Sequence, residues 1–273
     1  MVEVLVHFVA PALVGVLIGI ASGLLGIGGG TVMVPIFRLA FGMSATMSTA
    51  TSLFAIIPTS ISGAISHVKG KTCIPALGIA AGLGGACMSP IGVWLAQLSP
   101  DWLVMLAAAL IIGYSAINMF KKAFKLRPAC QPVAEADASA LTADDSSLSR
   151  KQLLQGAAIG LVAGLASGYV GVGGGFIMVP LMLSIIGIPM RKASGTSLIA
   201  VMILAIPGVI EQGIIGNINY LAGIAIVIGT IPGAAIGARL VTKVPERTLR
   251  LLFGCFLIVA AVMLVLNEVG IFG

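Results

Sequence analysis

The sequence predicts an all-α polytopic membrane protein made of two inverted repeats of about four to five transmembrane segments each, with helices broken by glycines. Three observations predict this class: the composition, an internal repeat, and loop charges that change sign between the halves. The chain has 273 residues, of which 59% are hydrophobic and 9% are charged, and its mean hydropathy is +1.15. Soluble domains average about 25% charged residues. The composition therefore excludes a soluble protein and predicts several membrane spans.

The internal repeat is a 17-residue stretch that occurs twice. Residues 19–35 (GIASGLLGIGGGTVMVP) and 164–180 (GLASGYVGVGGGFIMVP) are identical at eleven positions, at a shift of 145. Each glycine costs about 1 kcal/mol relative to alanine in a helix, so a helix should break at both clusters. Backbone N–H groups at the next helix start favour anions, and paired broken segments point to a transporter's substrate site. The alternative is that the glycines only let helices touch closely.

The first membrane repeat, residues 1–120, divides into five apolar stretches separated by polar or turn-forming residues. The second stretch is short, and a Ser/Thr-rich segment, 44–52, separates it from the third. The stretches are Val2–Ile27, Val32–Met43, Leu53–Ile65, Ile74–Leu98 and Trp102–Phe120.

Residues 121–150 differ in character from both flanking regions. They combine Lys and Arg with Pro, Ala, Ser, Asp and Glu, a composition that cannot bury a core and predicts a mobile linker. The second membrane repeat, residues 151–273, follows the same plan as the first. The correspondence continues beyond the glycines, because Thr51-Ser52-Leu53 matches Thr196-Ser197-Leu198.

Loop charges predict how each half is oriented, because cytoplasmic loops gather Lys and Arg. The loop after the third stretch carries Lys69 and Lys71, whereas its counterpart carries Glu211. The loop before the last span shows the reverse, with Asp101 in the first half and Arg239, Lys243, Arg247 and Arg250 in the second. Equivalent loops should therefore lie on opposite sides of the membrane, which is an inverted repeat.

The linker is basic at both ends and is predicted to be cytoplasmic, which makes both termini extracytoplasmic. This topology requires an odd number of crossings in each half. Five crossings result if both arms around the glycines span the membrane, and three result if the arms form a re-entrant hairpin. The sequence leaves this choice open.

No set of residues predicts an enzyme, a metal site or a cofactor. The two histidines, His7 and His67, have no Ser/His/Asp or Cys/His companions, and the four cysteines lack metal-ligand spacing. The glycine clusters are not followed by the Lys-Ser/Thr of a phosphate-binding loop. The net charge of +6 reflects cations at segment ends and does not indicate a nucleic-acid partner.

The predicted substrate site combines the glycine breaks with hydroxyl groups inside apolar segments. Ser22 and its repeat Ser167 are such groups, and most buried hydroxyls bond back to their own helix instead. His67 and Glu211 are candidates for proton coupling or, alternatively, plain boundary residues. The predicted substrate-binding residues are Gly28, Gly29, Gly30, Thr31, Thr51, Ser52, Gly173, Gly174, Gly175, Thr196 and Ser197.

The doubled glycine motif and the Thr-Ser pair after each copy resemble the sulfite exporter TauE/SafE family across all of the chain except the linker. The resemblance implies a multi-pass permease of the bacterial inner membrane that handles small anions, with sulfite and organosulfonates as the substrate class. It also implies a functional role for the motif glycines, which are Gly26, Gly28, Gly29, Gly30, Gly171, Gly173, Gly174 and Gly175.

The expected function is therefore a secondary transporter that exports small anions by alternating access. An anion channel on the same scaffold and a membrane-embedded assembly or enzymatic protein are the alternatives. The expected partners are the anion and the lipid bilayer, and the sequence leaves open whether two copies form a homodimer.

Overall fold

The computed structural model describes residues 10–125 and 149–268, and these residues form ten helices and no strand. Predictions about the N-terminus, most of the linker and the last five residues lie outside the described residues. The helices are α1 (Ala10–Leu25), α2 (Gly30–Phe41), α3 (Ala45–Lys69), α4 (Pro75–Leu98), α5 (Asp101–Lys125), α6 (Arg150–Val170), α7 (Gly175–Leu181, continued by a π-helix over Met182–Ile186), α8 (Met190–Ile215), α9 (Tyr220–Leu240) and α10 (Glu246–Glu268).

Seven of these helices, α3 to α6 and α8 to α10, are long and apolar enough to cross a membrane. The helices α1 and α2, and α7 with its π-helix, are also apolar but shorter. Large apolar side chains such as Leu13, Leu110 and Ile214 are exposed on the outside of the bundle, as expected where hydrocarbon replaces water. The predicted all-α polytopic membrane class is confirmed.

The repeat found in the sequence extends to the helix boundaries. Four helices of the first half begin 145 residues before their counterparts, at Gly30 and Gly175, Ala45 and Met190, Pro75 and Tyr220, and Asp101 and Glu246. The Ser/Thr-rich segment 44–52 forms the first turns of α3, where the Ser44 hydroxyl caps the helix by accepting a hydrogen bond from the Met47 N–H.

Two pairs of helices pack in parallel with their backbones in contact, and each pair joins the two halves of the sequence. A Cβ added to Gly160, Gly164 or Gly168 of α6 would overlap Ala81, Gly85 and Ser89 of α4 in turn. In the same way, Gly15, Gly19 and Gly23 of α1 lie against Ile226, Thr230 and Ala234 of α9. Small residues at every fourth position allow this close approach.

The helices α3 and α8 pack in opposite directions at the centre of the bundle. Gly63 of α3 lies against Leu198 of α8, while Leu53 of α3 lies near Gly208 of α8. In addition, α3 packs on α9, and α8 packs on α4. We therefore define unit I as α1, α3 and α9, and unit II as α4, α6 and α8. Each unit contains helices from both sequence halves.

Candidate functional site

The glycine clusters break the helices, as predicted. One break, residues 26–29, separates α1 from α2, and the other, residues 171–174, separates α6 from α7. Side chains other than glycine rarely adopt a positive φ, so the backbone itself requires glycine at these positions. The φ angles are 76° at Gly26, 80° at Gly28 and 86° at Gly29, and 72°, 88° and 68° at the equivalent Gly171, Gly173 and Gly174.

The two breaks lie against each other inside the protein. A Cβ added to Gly30 would lie 2.6 Å from the carbonyl oxygen of Val172. A Cβ added to Gly175 would lie 2.5 Å from the carbonyl oxygen of Gly26. All residues in the ranges 26–30 and 171–175 are buried. The breaks therefore meet at the centre of the bundle and do not face lipid.

A symmetric pair of hydrogen bonds fixes each break to a helix of the other half. The Ser197 hydroxyl donates to the Gly26 carbonyl over 2.7 Å, and the Ser52 hydroxyl donates to the Gly171 carbonyl. Both hydroxyls also lie within hydrogen-bonding distance of a carbonyl in their own helix. Because a hydroxyl has a single proton, both serines use it on backbone carbonyls in this conformation.

The neighbouring threonines bind a helix start in the other half. The Thr51 hydroxyl oxygen accepts the N–H of Asn219 over 3.0 Å, and the Thr196 hydroxyl oxygen accepts the N–H of Ile74 over 2.9 Å. Asn219 and Ile74 are the N-cap residues of α9 and α4. These four predicted residues, unlike Thr31, thus lie where the halves interlock, and their contact with a substrate stays a prediction.

Other hydroxyls near the breaks are buried and have no hydrogen-bond partner among the described residues. At the first break these are Ser22, Thr31 and Ser60, and at the second break it is Ser167, all with 0% exposure. A Cβ on Gly28 would lie 3.4 Å from the Ser60 Oγ. Leaving a buried hydroxyl unpaired costs about 1–3 kcal/mol. The sequence pattern did not identify Ser60, because its repeat counterpart is an alanine.

His67 is fully buried in the last turn of α3 and bridges α1 to the loop after α3. Its Nε2 lies 2.8 Å from the Gly23 carbonyl oxygen, and its Nδ1 lies 2.7 Å from the Thr72 hydroxyl. Because a carbonyl only accepts hydrogen bonds, these partners assign the proton to Nε2. Nδ1 then accepts a hydrogen bond from the Thr72 hydroxyl, so both nitrogens of the neutral imidazole have a partner.

In the second half, the position equivalent to His67 holds a residue that does not titrate. Gln212 is the repeat equivalent of His67, and its Oε1 accepts a hydrogen bond from Asn217 Nδ2 over 2.9 Å. The neighbouring Glu211 is partly buried, and its Oε2 has no hydrogen-bond partner among the described residues. Since α3 and α8 run in opposite directions, His67 and Glu211 lie at opposite ends of the bundle. The two coupling candidates do not form a pair.

A lateral cavity of about 620 Å³ lies between α5, α6 and α7, with Leu165, Tyr169 and Leu181 in its wall. None of the break glycines lines this cavity. The predicted site at the breaks is instead tightly packed: a Cβ on Gly28 would lie 2.9 Å from Val201 and 3.2 Å from Ile56. The breaks are therefore closed in this conformation.

Comparison with known proteins gives a consistent result. A family model described as sulfite exporter TauE/SafE matches residues 11–264. The probable membrane transporter protein YunE of Bacillus subtilis is 27% identical over 97% of this chain and 99% of its own length. A probable membrane transporter protein of Haemophilus influenzae is 30% identical, with 93% and 97% covered. No solved structure matches the chain.

Proposed function

The chain belongs to the sulfite exporter TauE/SafE family and is a membrane transporter, and on this premise we propose that it exports small anions by alternating access. Sulfite or organosulfonates are the proposed substrates, and the bacterial inner membrane is the proposed location. The observation that carries the proposal is the contact between the two buried glycine breaks. Broken helices that meet at the centre of a repeat protein are the usual site of substrate binding in secondary transporters.

The proposed substrate site uses the backbone of the two breaks. Gly28, Gly29, Gly30 and Thr31 lead into α2, and Gly173, Gly174 and Gly175 lead into α7. N–H groups at a helix start carry a partial positive charge and favour anions. Ser52 and Ser197 are proposed to hold the breaks in register through their hydrogen bonds. Thr51 and Thr196, next to them, are proposed to anchor the starts of α9 and α4.

Transport requires that the closed breaks separate, first toward one side of the membrane and then toward the other. Backbone contacts join α1 to α9 and α4 to α6, so these pairs resist separation. The halves of the sequence therefore cannot rock as independent bodies. We place the motion between unit I and unit II instead, at the α3–α8 crossing.

Helix directions and charge support an inverted repeat. The helices α3 and α8 are equivalent in the repeat and pack antiparallel. A two-fold axis that relates such a pair is perpendicular to both helices. For helices that span the membrane, this axis lies in the membrane plane. Lys69 ends α3 and Lys71 follows it, and Arg191 lies in the first turn of α8 at the same end of the bundle. Asp101 and Glu211 lie at the other end. The basic end is proposed to be cytoplasmic.

This topology places both termini outside the cytoplasm. Reporter fusions at each terminus test it: an enzyme active only in the periplasm should work at both ends, and one active only in the cytoplasm should fail at both. Cytoplasmic activity at either terminus would contradict the topology.

The transport proposal is tested with purified protein in proteoliposomes loaded with sulfite. We expect saturable efflux of sulfite that is accelerated by sulfite on the opposite side, since counterflow is the property of a carrier. Flux that neither saturates nor shows counterflow would instead indicate an anion channel. Absence of flux for sulfite, a sulfonate and sulfate would contradict the function.

A further inference from the structure

The two breaks share their backbone geometry but differ in the side chains that surround them. Ser22 at the first break has a matching serine, Ser167, at the second. The other two unpaired hydroxyls have no such match, because Thr31 corresponds to Phe176 and Ser60 corresponds to Ala205 at the shift of 145. Among the described residues, Ser22, Thr31 and Ser60 are the unpaired hydroxyls beside the first break, while Ser167 lies beside the second and the unpaired Ser48 precedes the Thr49 that contacts Gly171.

The unpaired hydroxyls of the first break surround the start of α2. A Cβ on Gly28 would lie 3.4 Å from the Ser60 Oγ, and a Cβ on Gly29 would lie 3.6 Å from the Ser22 Cβ. Thr31 lies in the first turn of α2, a helix of 12 residues. All three side chains have 0% exposure. A helix start and three buried hydroxyl groups thus converge on one small region.

Among the other buried hydroxyls of the described residues, Ser48 of α3 and Ser89 of α4 are also unpaired, whereas several central ones are paired. Thr59 and Thr230, which pack between α3 and α9, lie 2.6 Å apart at their Oγ1 atoms, and Ser197 donates to a carbonyl. An unpaired buried hydroxyl is costly, and one explanation for it is that it donates to a ligand during function. The region around Gly28 to Gly30 is also uncharged, since the nearest side chains are Ile, Met, Ser and Val.

We propose that the anion binds at the first break only, where the hydroxyls of Ser22, Thr31 and Ser60 and the first N–H groups of α2 donate hydrogen bonds to its oxygens. This inference rests on the proposed function and narrows its site from both breaks to the first break. The ligand class is a compact oxyanion with three or four acceptor oxygens, such as the SO₃ group of sulfite or of a sulfonate. The second break, with Phe176 and Ala205, forms the apolar wall that closes over the ligand.

Side chains of two helices pack directly against the first break in this conformation. The Val201 and Ile56 side chains lie within 2.9 and 3.2 Å of a Cβ placed on Gly28, so they occupy the space in front of the break. Val201 is on α8 and Ile56 is on α3. Movement of these helices, which belong to different units, opens the site to the anion.

The test measures sulfite binding by calorimetry and thermal stability for the same purified variants. Ser22→Ala, Thr31→Val and Ser60→Ala should each raise the Kd for sulfite by about tenfold or more, because each removes a hydrogen bond to a charged group. Their melting temperatures should stay level or rise, since an unpaired buried hydroxyl is removed. Thr31→Ser and Ser167→Ala are the matched controls and should keep the Kd within about twofold.

The outcomes separate this inference from the proposed function. If the unaltered protein binds and exports sulfite and the three variants bind it as Ser167→Ala does, the single-site inference is wrong and the function stands. If Thr31→Val and Ser60→Ala lower the melting temperature and leave the Kd unchanged, the hydroxyls are structural and the inference is again wrong. If the unaltered protein neither binds nor exports sulfite, a sulfonate or sulfate, both proposals fail.

Discussion

A glycine with positive φ can be required by the backbone angle alone or also by a close neighbour, and two positions with similar φ separate these reasons. Gly171 has φ +72°, and a Cβ there would lie 2.6 Å from the Thr49 Cα. Gly187 has φ +78°, but nothing lies within 4 Å of its Cβ position. At both positions the positive φ makes alanine less favourable than glycine by about 1 kcal/mol. Only at Gly171 would the alanine Cβ also overlap a neighbouring residue.

We therefore expect Gly171→Ala to destabilise the protein far more than Gly187→Ala. The overlap with α3 should add several kcal/mol to the strain, as overpacking of a close contact does, and should prevent the second break from closing. Thermal unfolding of the two purified variants in the same detergent measures the difference. Equal melting temperatures would contradict the tight packing of the second break.

His67 offers a test that separates structure from proton coupling. Gln occupies the equivalent position 212, and its amide can donate to the Gly23 carbonyl and accept from Thr72 as the imidazole does. We expect His67→Gln to keep its stability within about 1 kcal/mol and to lose the pH dependence of sulfite flux, since Gln does not titrate.

The control for this prediction is His67→Leu, which leaves the Gly23 carbonyl and the Thr72 hydroxyl without their partner. It should lower the stability by about 1–3 kcal/mol. If His67→Gln retains the pH dependence of the unaltered protein, His67 is a structural residue and does not carry the coupling proton.

At the scale of helices, the parallel pairs α1–α9 and α4–α6 contain the shortest distances from an added glycine Cβ among the described residues. Their glycines have ordinary helical φ values, so their role is close approach and not conformational freedom. This is the interpretation that the sequence offered as the alternative for the glycine clusters. Close helix contact is the role of the glycines in the middle of these helices. At the breaks, the glycines combine close contact with a positive φ.

We predict that Gly19→Ala destabilises the α1–α9 pair, whereas Gly113→Ala does not. A Cβ on Gly19 would lie 2.5 Å from the Thr230 carbonyl oxygen, and a Cβ on Gly113 of α5 meets nothing within 4 Å. The second substitution should stabilise its helix by up to about 1 kcal/mol through helix propensity. Thermal unfolding measures both, and equal shifts would contradict the proposed helix contact.

At the scale of the whole molecule, the moving bodies proposed for transport do not coincide with the sequence repeats. A cross-link within unit I should therefore be tolerated, and a cross-link between units should stop transport. Thr59→Cys with Thr230→Cys joins α3 to α9 within unit I, where the hydroxyls lie 2.6 Å apart. Gly63→Cys with Leu198→Cys joins α3 to α8 across the units.

Both pairs are introduced after Cys73, Cys87, Cys130 and Cys255 have been replaced by alanine. Sulfite flux is measured before and after treatment with a short bifunctional thiol reagent. We expect flux to persist in the first variant, to stop in the second, and to return when a cleavable reagent is reduced. Flux that persists with α3 linked to α8 would contradict motion between the units.

The sequence alone determined the membrane class, the helix breaks and the repeat. These follow from local quantities: the apolar content of each segment, the helix penalty of clustered glycines, and identity at a fixed shift of 145. The polar composition of residues 44–52 was misleading as a segment boundary, because the Thr51 and Ser52 hydroxyls bind the backbone of the other half. Such partners are more than 100 residues away, and local composition does not reveal them.

Only the tertiary structure decided which hydroxyls are paired and which helices pack together. The paired and the unpaired hydroxyls belong to the same two residue types, Ser and Thr. The paired ones, which are Thr51, Ser52, Thr196 and Ser197, differ only in the neighbours that the fold gives them. Helices from opposite halves pack more closely than helices within a half, because complementary glycine rows lie on α1 and α9 and on α4 and α6. A repeat identifies equivalent surfaces, but contact between those surfaces is a property of the folded chain.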